Sequence, residues 1–170
     1  MRTLEAGVVT LEPQVAGHAA QMFAVLSDAR IYEFENEPPA SEEWLRERFR
    51  KLESRRSPDG KEEWLNWVLK LRDGSLAGYV QATVRGDASA DVAYVLSSAH
   101  WGRGIASRAV GAMMDELSLR HGTRVFFAVF KTANGRSRRL LERLGFEPAA
   151  AAEVAARGVE PGESLMRRAG

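Results

Sequence analysis

Hydrophobic positions repeat along the chain with two periods, and the change between them predicts a mixed α/β fold. Between residues 64 and 96, apolar and polar residues alternate in three runs, which Asp73-Gly74 and Gly86-Asp87 separate. Alternation broken by such turn residues is typical of antiparallel strands joined by tight hairpins. Residues 125–130 are apolar at every position, as in a central strand that helices cover on both faces.

Apolar residues spaced three and four apart predict the helices. This spacing is found over residues 15–26, from Ser41 to residue 52, from residue 105 to about 120, and from residue 134 to 144. Ser41 is a suitable N-cap, and Asn134 or Thr132 can cap the last of these helices. Residues 3–11 predict one further strand at the start of the chain, and residues 31–40, with paired prolines, predict a loop.

The connections between these elements predict how the sheet is arranged. Strands before residue 97 are joined by tight turns, so they pair antiparallel. The strand at 125–130 is reached through a helix, so it runs parallel to the strand before that helix, with a right-handed crossover. A glycine-containing turn at 101–104 then lies beyond the carboxyl end of a strand, where open α/β sheets bind their ligands.

This turn runs from the strand Val92–Leu96 into the helix that contains Ile105, and its glycines, Gly102 and Gly104, flank Arg103. A turn of this kind presents backbone N–H groups and the positive end of a helix dipole, which bind phosphate groups. Taken alone, the same residues also fit an ordinary helix start. The turn lacks the Lys-Ser/Thr pair of a nucleoside-triphosphate loop and the third glycine of a dinucleotide fingerprint, so both nucleotide interpretations are disfavoured.

Composition narrows the possible classes of function. The chain has 170 residues, 45% hydrophobic and 28% charged, as expected of one globular domain. Its net charge of +1 provides no overall field that favours nucleic acid or an anionic membrane as a partner. It has no cysteine, and its three histidines are widely spaced, so we expect no disulfide and no metal site. Without a long apolar run or a signal-peptide pattern, we expect a cytoplasmic protein.

Two motifs resemble the GNAT acetyltransferase superfamily. Trp101-Gly102-Arg103-Gly104-Ile105-Ala106 resembles its acetyl-CoA pyrophosphate loop, with Trp101 in place of the usual Arg or Gln. That replacement is typical of the branch that resembles ribosomal-protein N-terminal (alanine/serine) acetyltransferases. The segment from Asn134 through Ser137 to Leu144-Gly145-Phe146 resembles the Asn-x-x-Ser…Leu-Glu-Lys-x-Gly-Phe helix of the same branch. The motifs follow in the right order, about 30 residues apart, as in a strand–helix–strand–helix unit.

The resemblance implies a fold. We expect a mixed, mostly antiparallel GNAT-like sheet of about six to seven strands, with a central splayed parallel strand pair and helices on both faces. Residues 1–170 would form a single domain of this kind. The resemblance places the last strand near residues 163–168, whereas the Ala-rich stretch 149–156 has the propensity of a short helix and stays open.

The resemblance also implies a site for acetyl-CoA as co-substrate. Backbone groups of Val95 and Leu96 would bind the pantetheine arm, and an N–H near Leu96 would stabilise the oxyanion. The pyrophosphate would lie on the glycine turn, and the start of the last helix would bind the remaining parts of the cofactor. The expected cofactor-binding residues are Val95, Leu96, Trp101, Gly102, Arg103, Gly104, Ile105, Ala106, Ser107, Asn134, Arg136 and Ser137. Arg138, Arg139 and Arg143 continue this basic cluster, either toward the cofactor or toward solvent.

Catalytic roles follow from the same resemblance. Ser137 would donate a proton or a hydrogen bond to the departing thiolate, and Asp91 would act as the general base. The family's more widespread tyrosine is missing, since Leu141 occupies its position. Phe34 and Glu35, in an acidic and aromatic loop, and Tyr94 are the expected acceptor-binding residues.

These residues predict an N-acetyltransferase that moves an acetyl group to a primary amine, by direct attack in a ternary complex. The acceptor would be a protein N-terminus or a small amine. The alternative is a non-catalytic acyl-CoA-binding or sensor domain, because the tyrosine is absent. Both a monomer and a homodimer are compatible with the sequence.

Overall fold

The computed structural model describes residues 1–34 and 36–170, and eight strands of this part form one mixed sheet. The strands are β1 (Leu4–Ala6), β2 (Val9–Pro13), β3 (Glu62–Leu71), β4 (Leu76–Arg85), β5 (Ser89–Leu96), β6 (Val125–Lys131), β7 (Glu147–Pro148) and β8 (Glu163–Ala169). The helices are α1 (Ala19–Leu26), α2 (Glu42–Leu52), α3 (Ile105–His121), α4 (Gly135–Arg143) and α5 (Ala151–Ala156), with short 3₁₀ turns at Ala16–His18, Ala29–Tyr32 and Ser98–His100. The strand order is β1-β2-β3-β4-β5-β6-β8-β7.

The central strands separate into a fork. β5 and β6 run parallel but pair only at Ser89–Val125, Ala90–Phe126 and Asp91–Phe127. Beyond Asp91, β5 continues on β4 as far as Leu96, while β6 continues on β8 as far as Lys131. The splayed parallel pair is therefore confirmed, and the open part of the fork lies at the carboxyl ends of both strands.

Helices cover both faces of the sheet, as predicted. On one face, α3 and α4 pack on the larger core, in which Trp67, Phe126 and Leu117 are almost fully buried. On the other face, α1 and α2 pack on Val68 and Leu76. None of the helices in the described part of the chain is both long and apolar enough to cross a membrane.

The sheet has eight strands rather than six or seven because its ends differ from the sequence-based prediction. Residues 3–11 do not form one strand: the chain turns at Gly7, which has φ +73°, and β1 pairs antiparallel with β2. The apolar Val8 at this turn is 41% exposed. Because Val8 and Val9 are adjacent apolar residues, the sequence of this turn resembles that of a continuous strand. At the other end, the two residues of β7 pair with β8.

The tail contains both elements that its sequence left open. β8 lies where the last strand was expected, and the Ala-rich stretch forms the short helix α5. The Glu153 carboxylate caps this helix by accepting a hydrogen bond from the Ala150 N–H at 2.9 Å. The predicted N-caps of α2 and α4 are confirmed, since Ser41 and Asn134 accept from the N–H groups of Trp44 and Ser137.

Gly78 allows β4 to approach the end of β5. A Cβ atom at this position would overlap the carbonyl oxygen of Val95 and lie 2.9 Å from the Cα of Leu96. Because both neighbours are backbone atoms, no side-chain rotation can relieve the overlap. Gly78 therefore determines where the last residues of β5, which border the fork, are held.

We expect Gly78→Ala to lower the free energy of unfolding by about 1–3 kcal/mol, as overpacking of a filled site does. Gly86→Ala is the matched control, because Gly86 directly follows the far end of β4 and a Cβ there would meet no atom of the described residues within 4 Å. Chemical denaturation of both variants measures the difference. Equal stability of the two variants would contradict the proposed steric role of Gly78.

Candidate functional site

A cleft of about 730 Å³ lies at the open end of the fork. Its walls are the end of β5, the turn that leads into α3, the first turns of α3 and α4, and the segment that follows α1. The lining residues are Arg30, Ile31, Phe34, Tyr94, Val95, Leu96, His100, Trp101, Gly102, Gly104, Ile105, Ala106, Ser107, Arg108, Asn134, Arg136, Ser137, Arg139, Leu140 and Arg143. The cleft therefore brings together both motifs found in the sequence.

The glycine turn points unpaired backbone donors at this cleft. Gly102 and Gly104 have φ values of +76° and +71°, which favour glycine, and Gly104 is the N-cap of α3. No side chain in the described part of the chain caps the helix, and its hydrogen-bond ladder begins with the N–H of Arg108 donating to the Gly104 carbonyl. The N–H groups of residues 105–107 thus have no partner within the helix, and they form a site suited to an anion.

The cleft is strongly cationic although the whole chain is nearly neutral. Its lining includes five arginines, which are Arg30, Arg108, Arg136, Arg139 and Arg143. No aspartate or glutamate of the described residues lines it. Such a concentration of one charge inside a concave surface attracts a polyanion. Since Arg139 and Arg143 are among these lining residues, they face the cleft and not only solvent. Arg138 instead lies over the ring of Phe130, 6.0 Å from its centre.

Trp101 and Arg136 close one side of the cleft. The Trp101 indole N–H donates to the Leu96 carbonyl at 2.9 Å, which attaches the glycine turn to the end of β5. The Arg136 guanidinium lies 4.3 Å from the centre of the Trp101 ring and 5.5 Å from that of Phe34, and it forms an ion pair with Glu33. Side chains from three separate segments thus meet at this point.

Asn134, Ser137 and Tyr94 form the wall on the side of α4. The Asn134 side-chain oxygen accepts from the Ser137 N–H at 3.1 Å, so it acts as a helix cap, while its amide NH₂ remains a donor. The Tyr94 hydroxyl donates to the Ser137 carbonyl at 3.4 Å, a long hydrogen bond. Burial raises the pKa of Tyr94 above the ordinary value for a phenol. Tyr94 is therefore protonated at neutral pH.

Asp91 is not brought to the cleft with the other expected residues. It lies at the last paired position of β5 and β6, and its carboxylate forms ion pairs with Arg85 and Arg157. Arg157 also lies 3.5 Å from the centre of the Phe127 ring and donates to the Ser89 hydroxyl at 3.2 Å. These contacts give Asp91 a structural environment at the closed end of the fork, so its expected role as general base gains no support from this geometry.

The remaining expected residues differ in their placement. Phe34 lines the cleft, as does Tyr94, whereas Glu35 lies outside the described residues. Arg103 belongs to the glycine turn but does not line the cleft. Sequence reasoning missed Arg108, which follows Gly104 by four residues and so shares its helix face. Among the residues the structure describes, no group of three or more acidic or histidine side chains is placed to hold a metal ion.

Comparison with known proteins identifies what this architecture is similar to. The protein-family model for the acetyltransferase (GNAT) domain matches residues 9–147 of this chain. No curated protein sequence gives a match.

Solved structures share the whole fold at low sequence identity. The ribosomal-protein-S5-alanine acetyltransferase of Vibrio fischeri is 17% identical, with a TM-score of 0.80 over 98% of this chain and 96% of its own. RimL, a ribosomal L7/L12 α-N-protein acetyltransferase solved with coenzyme A, is 16% identical, with a TM-score of 0.81 over 98% and 97%. A chimera of the spermidine N-acetyltransferase SpeG from Vibrio cholerae with hSSAT is 17% identical, with a TM-score of 0.77 over 96% of each chain.

The buried tyrosines predict how the fold responds to alkaline pH. Burial raises the pKa of Tyr32 to about 12 and also raises the pKa values of Tyr79 and Tyr94, which completes the chain's three tyrosines. The folded state therefore holds these protons more tightly than the unfolded chain, whose phenols titrate near a pKa of about 10. Stability is retained below that pH and decreases as the pH rises above it.

We expect the tyrosinate absorbance of the native protein to appear at higher pH than that of the guanidinium-unfolded chain. A spectrophotometric titration of both states measures the two midpoints. Superimposable curves would show that the phenols are solvated in the native protein, and they would contradict the burial that raises their pKa values.

Proposed function

The chain belongs to the GNAT acetyltransferase family, and on that basis we propose that it moves the acetyl group of acetyl-CoA to a primary amine. The observation that carries this proposal is the cationic cleft at the open end of the fork, with an uncapped helix start and five arginines in its lining. Acetyl-CoA combines three phosphate groups with a narrow arm that ends in the thioester. The cleft offers both positive charge and an edge of β5 that, beyond Asp91, pairs with no other strand of the described residues.

Backbone groups are the proposed ligands for most of the cofactor. The N–H groups after Gly104 would bind the pyrophosphate, with Arg108 and the arginines of α4 neutralising charge. Beyond Asp91, the edge of β5 that faces β6 has no strand partner among the residues that the structure describes. Its N–H and C=O groups around Val95 are therefore proposed to bind the amide-containing arm. A backbone N–H near Leu96 is the proposed donor to the oxyanion.

The reaction requires the free amine, one new bond and one proton transfer to the leaving group. The amine nitrogen bonds to the thioester carbonyl carbon, the ammonium so formed releases its proton to water, the C–S bond breaks, and the thiolate accepts a proton. Ser137 and Tyr94 are the proposed proton or hydrogen-bond donors to that thiolate, since both side chains line the cleft. We assign no step to Asp91, because two arginines already bind its carboxylate.

A primary amine is the proposed acceptor class, either a protein N-terminus or a small amine. Structural neighbours that acetylate ribosomal proteins and spermidine support this breadth, because one fold serves both in those proteins. The second candidate, an acyl-CoA-binding module without turnover, rests on Leu141. This residue occupies the position of the family's tyrosine and is only 1% exposed, so it belongs to the core.

We further propose that residues 1–170 act as a single domain in the cytoplasm. The family model ends at residue 147, but β8 pairs with β6 over seven positions, so the tail completes the same sheet.

The first experiment measures thiol release from acetyl-CoA over a panel of primary amines. We expect release to depend on the added amine and to increase with pH as the amine loses its proton. Thermal stabilisation by acetyl-CoA without release on any amine would favour the binding module. Absence of both effects would contradict the proposed function.

A second prediction concerns the glycine turn. We expect Gly104→Glu to weaken CoA binding at least about tenfold, because it adds a negative charge and bulk where the phosphates are proposed to bind. Gly60→Glu is the matched control: Gly60 also has φ +71°, and a Cβ there meets no atom within 4 Å, as at Gly104. Both variants carry the same backbone strain, so calorimetry with CoA isolates the local effect. Equal affinities would contradict the assignment of the turn.

A further inference from the structure

Arg136 connects the two sides of the cleft. It lies in the first turn of α4, and it reaches the ring of Trp101 in the glycine turn, the ring of Phe34 and the carboxylate of Glu33. Glu33 and Phe34 belong to the segment that follows α1. Among the ion pairs of the described residues, this is the one that joins a cleft-lining arginine to a carboxylate.

The contacts of Arg136 are suited to exchange. The side chains of Arg136 and Glu33 are 45% and 54% exposed, and ion pairs at this exposure shift an equilibrium by no more than about fivefold. A phosphate group is a stronger partner for a guanidinium than one solvated carboxylate, because it presents more oxygens and more charge. Stacking on Trp101 can persist during such an exchange, which keeps the guanidinium beside the glycine turn.

We propose that Arg136 alternates between two anions, Glu33 in the free protein and a phosphate of acetyl-CoA in the complex, and that this exchange exposes Glu33 as the binding site for a cationic acceptor. The inference rests on the proposed function. It implies positive coupling between the two ligands, in which each strengthens the binding of the other by up to about fivefold.

The exposed carboxylate also defines a class of acceptor. The amine that attacks the thioester must be neutral, whereas a carboxylate recognises a charge that the substrate keeps. Glu33 therefore selects an acceptor with a second positive charge, such as a diamine or a basic peptide. Ile31 and Phe34, on either side of Glu33 in this segment, line the cleft. Glu33 itself lines a neighbouring depression with Trp101, so its carboxylate lies at the rim of the cleft.

Calorimetry with CoA tests the exchange without any acceptor. We expect Glu33→Gln to bind CoA about three- to fivefold more tightly than wild type, because Arg136 no longer has to leave a carboxylate. Arg136→Ala should bind more weakly, and adding Glu33→Gln to it should have no further effect. Glu47→Gln is the control, since it removes a similarly exposed pair, that with Arg50, on α2.

The outcomes separate this inference from the function on which it rests. Unchanged or weaker CoA binding by Glu33→Gln would overturn the exchange, as would tightening that persists in the Arg136→Ala background. If wild type itself fails to bind CoA, the proposed function fails, and the inference fails with it.

Butylamine and 1,4-diaminobutane, at saturating acetyl-CoA, test the acceptor. We expect wild type and Glu47→Gln to have a kcat/KM about fivefold higher for the diamine, and Glu33→Gln to lose this preference through KM. Absence of the preference in wild type, or its survival in Glu33→Gln, would overturn the role of Glu33 in acceptor binding. Failure of the diamine to react at all would do the same.

Discussion

The short parallel ladder between β5 and β6 is the contact on which the site depends. Three residue pairs hold these strands together, and at the third pair the Asp91 carboxylate is held by Arg85 and Arg157 while Arg157 lies on the Phe127 ring. This cluster closes the sheet at one end of the fork, and the strands part beyond it toward different neighbours. A cleft between two strands of one sheet can persist only because each edge has another partner on its far side.

Local charge, rather than net charge, identifies the functional surface. The chain carries one positive charge overall, yet its cleft is lined by arginines and by no described acid. Several acidic side chains form ion pairs away from the cleft, for example Glu116 with Arg2 and Glu163 with Lys131, whereas Glu33 pairs with Arg136 at its rim. The net charge of the sequence therefore does not reveal the local positive potential of the cleft, which arises because the fold places basic and acidic side chains on different surfaces.

Much of the site could be predicted from the sequence, because the relevant features are local. The period of apolar residues located the strands and helices, and the glycines before Ile105 located the turn, since both signals lie within a few residues. Asp91 was assigned to the site by its place in a motif, but its partner Arg157 is 66 positions away and comes from the tail. Glu33 and Arg136 are 103 positions apart, so no local pattern connects them. The hairpin at Gly7 was missed because its turn is apolar.

The proposed cofactor site is built mainly from the main chain, and this has a consequence for its evolution. The N–H groups after Gly104 and the open edge of β5 exist whatever side chains these positions carry, so most substitutions there leave the ligand-binding groups in place. Constraint falls on the few positions where a side chain cannot be accommodated, such as Gly78, whose missing Cβ leaves room for the Val95 carbonyl. Such a site tolerates extensive sequence divergence while the backbone path stays the same, and new acceptors can be acquired by altering the surrounding side chains alone.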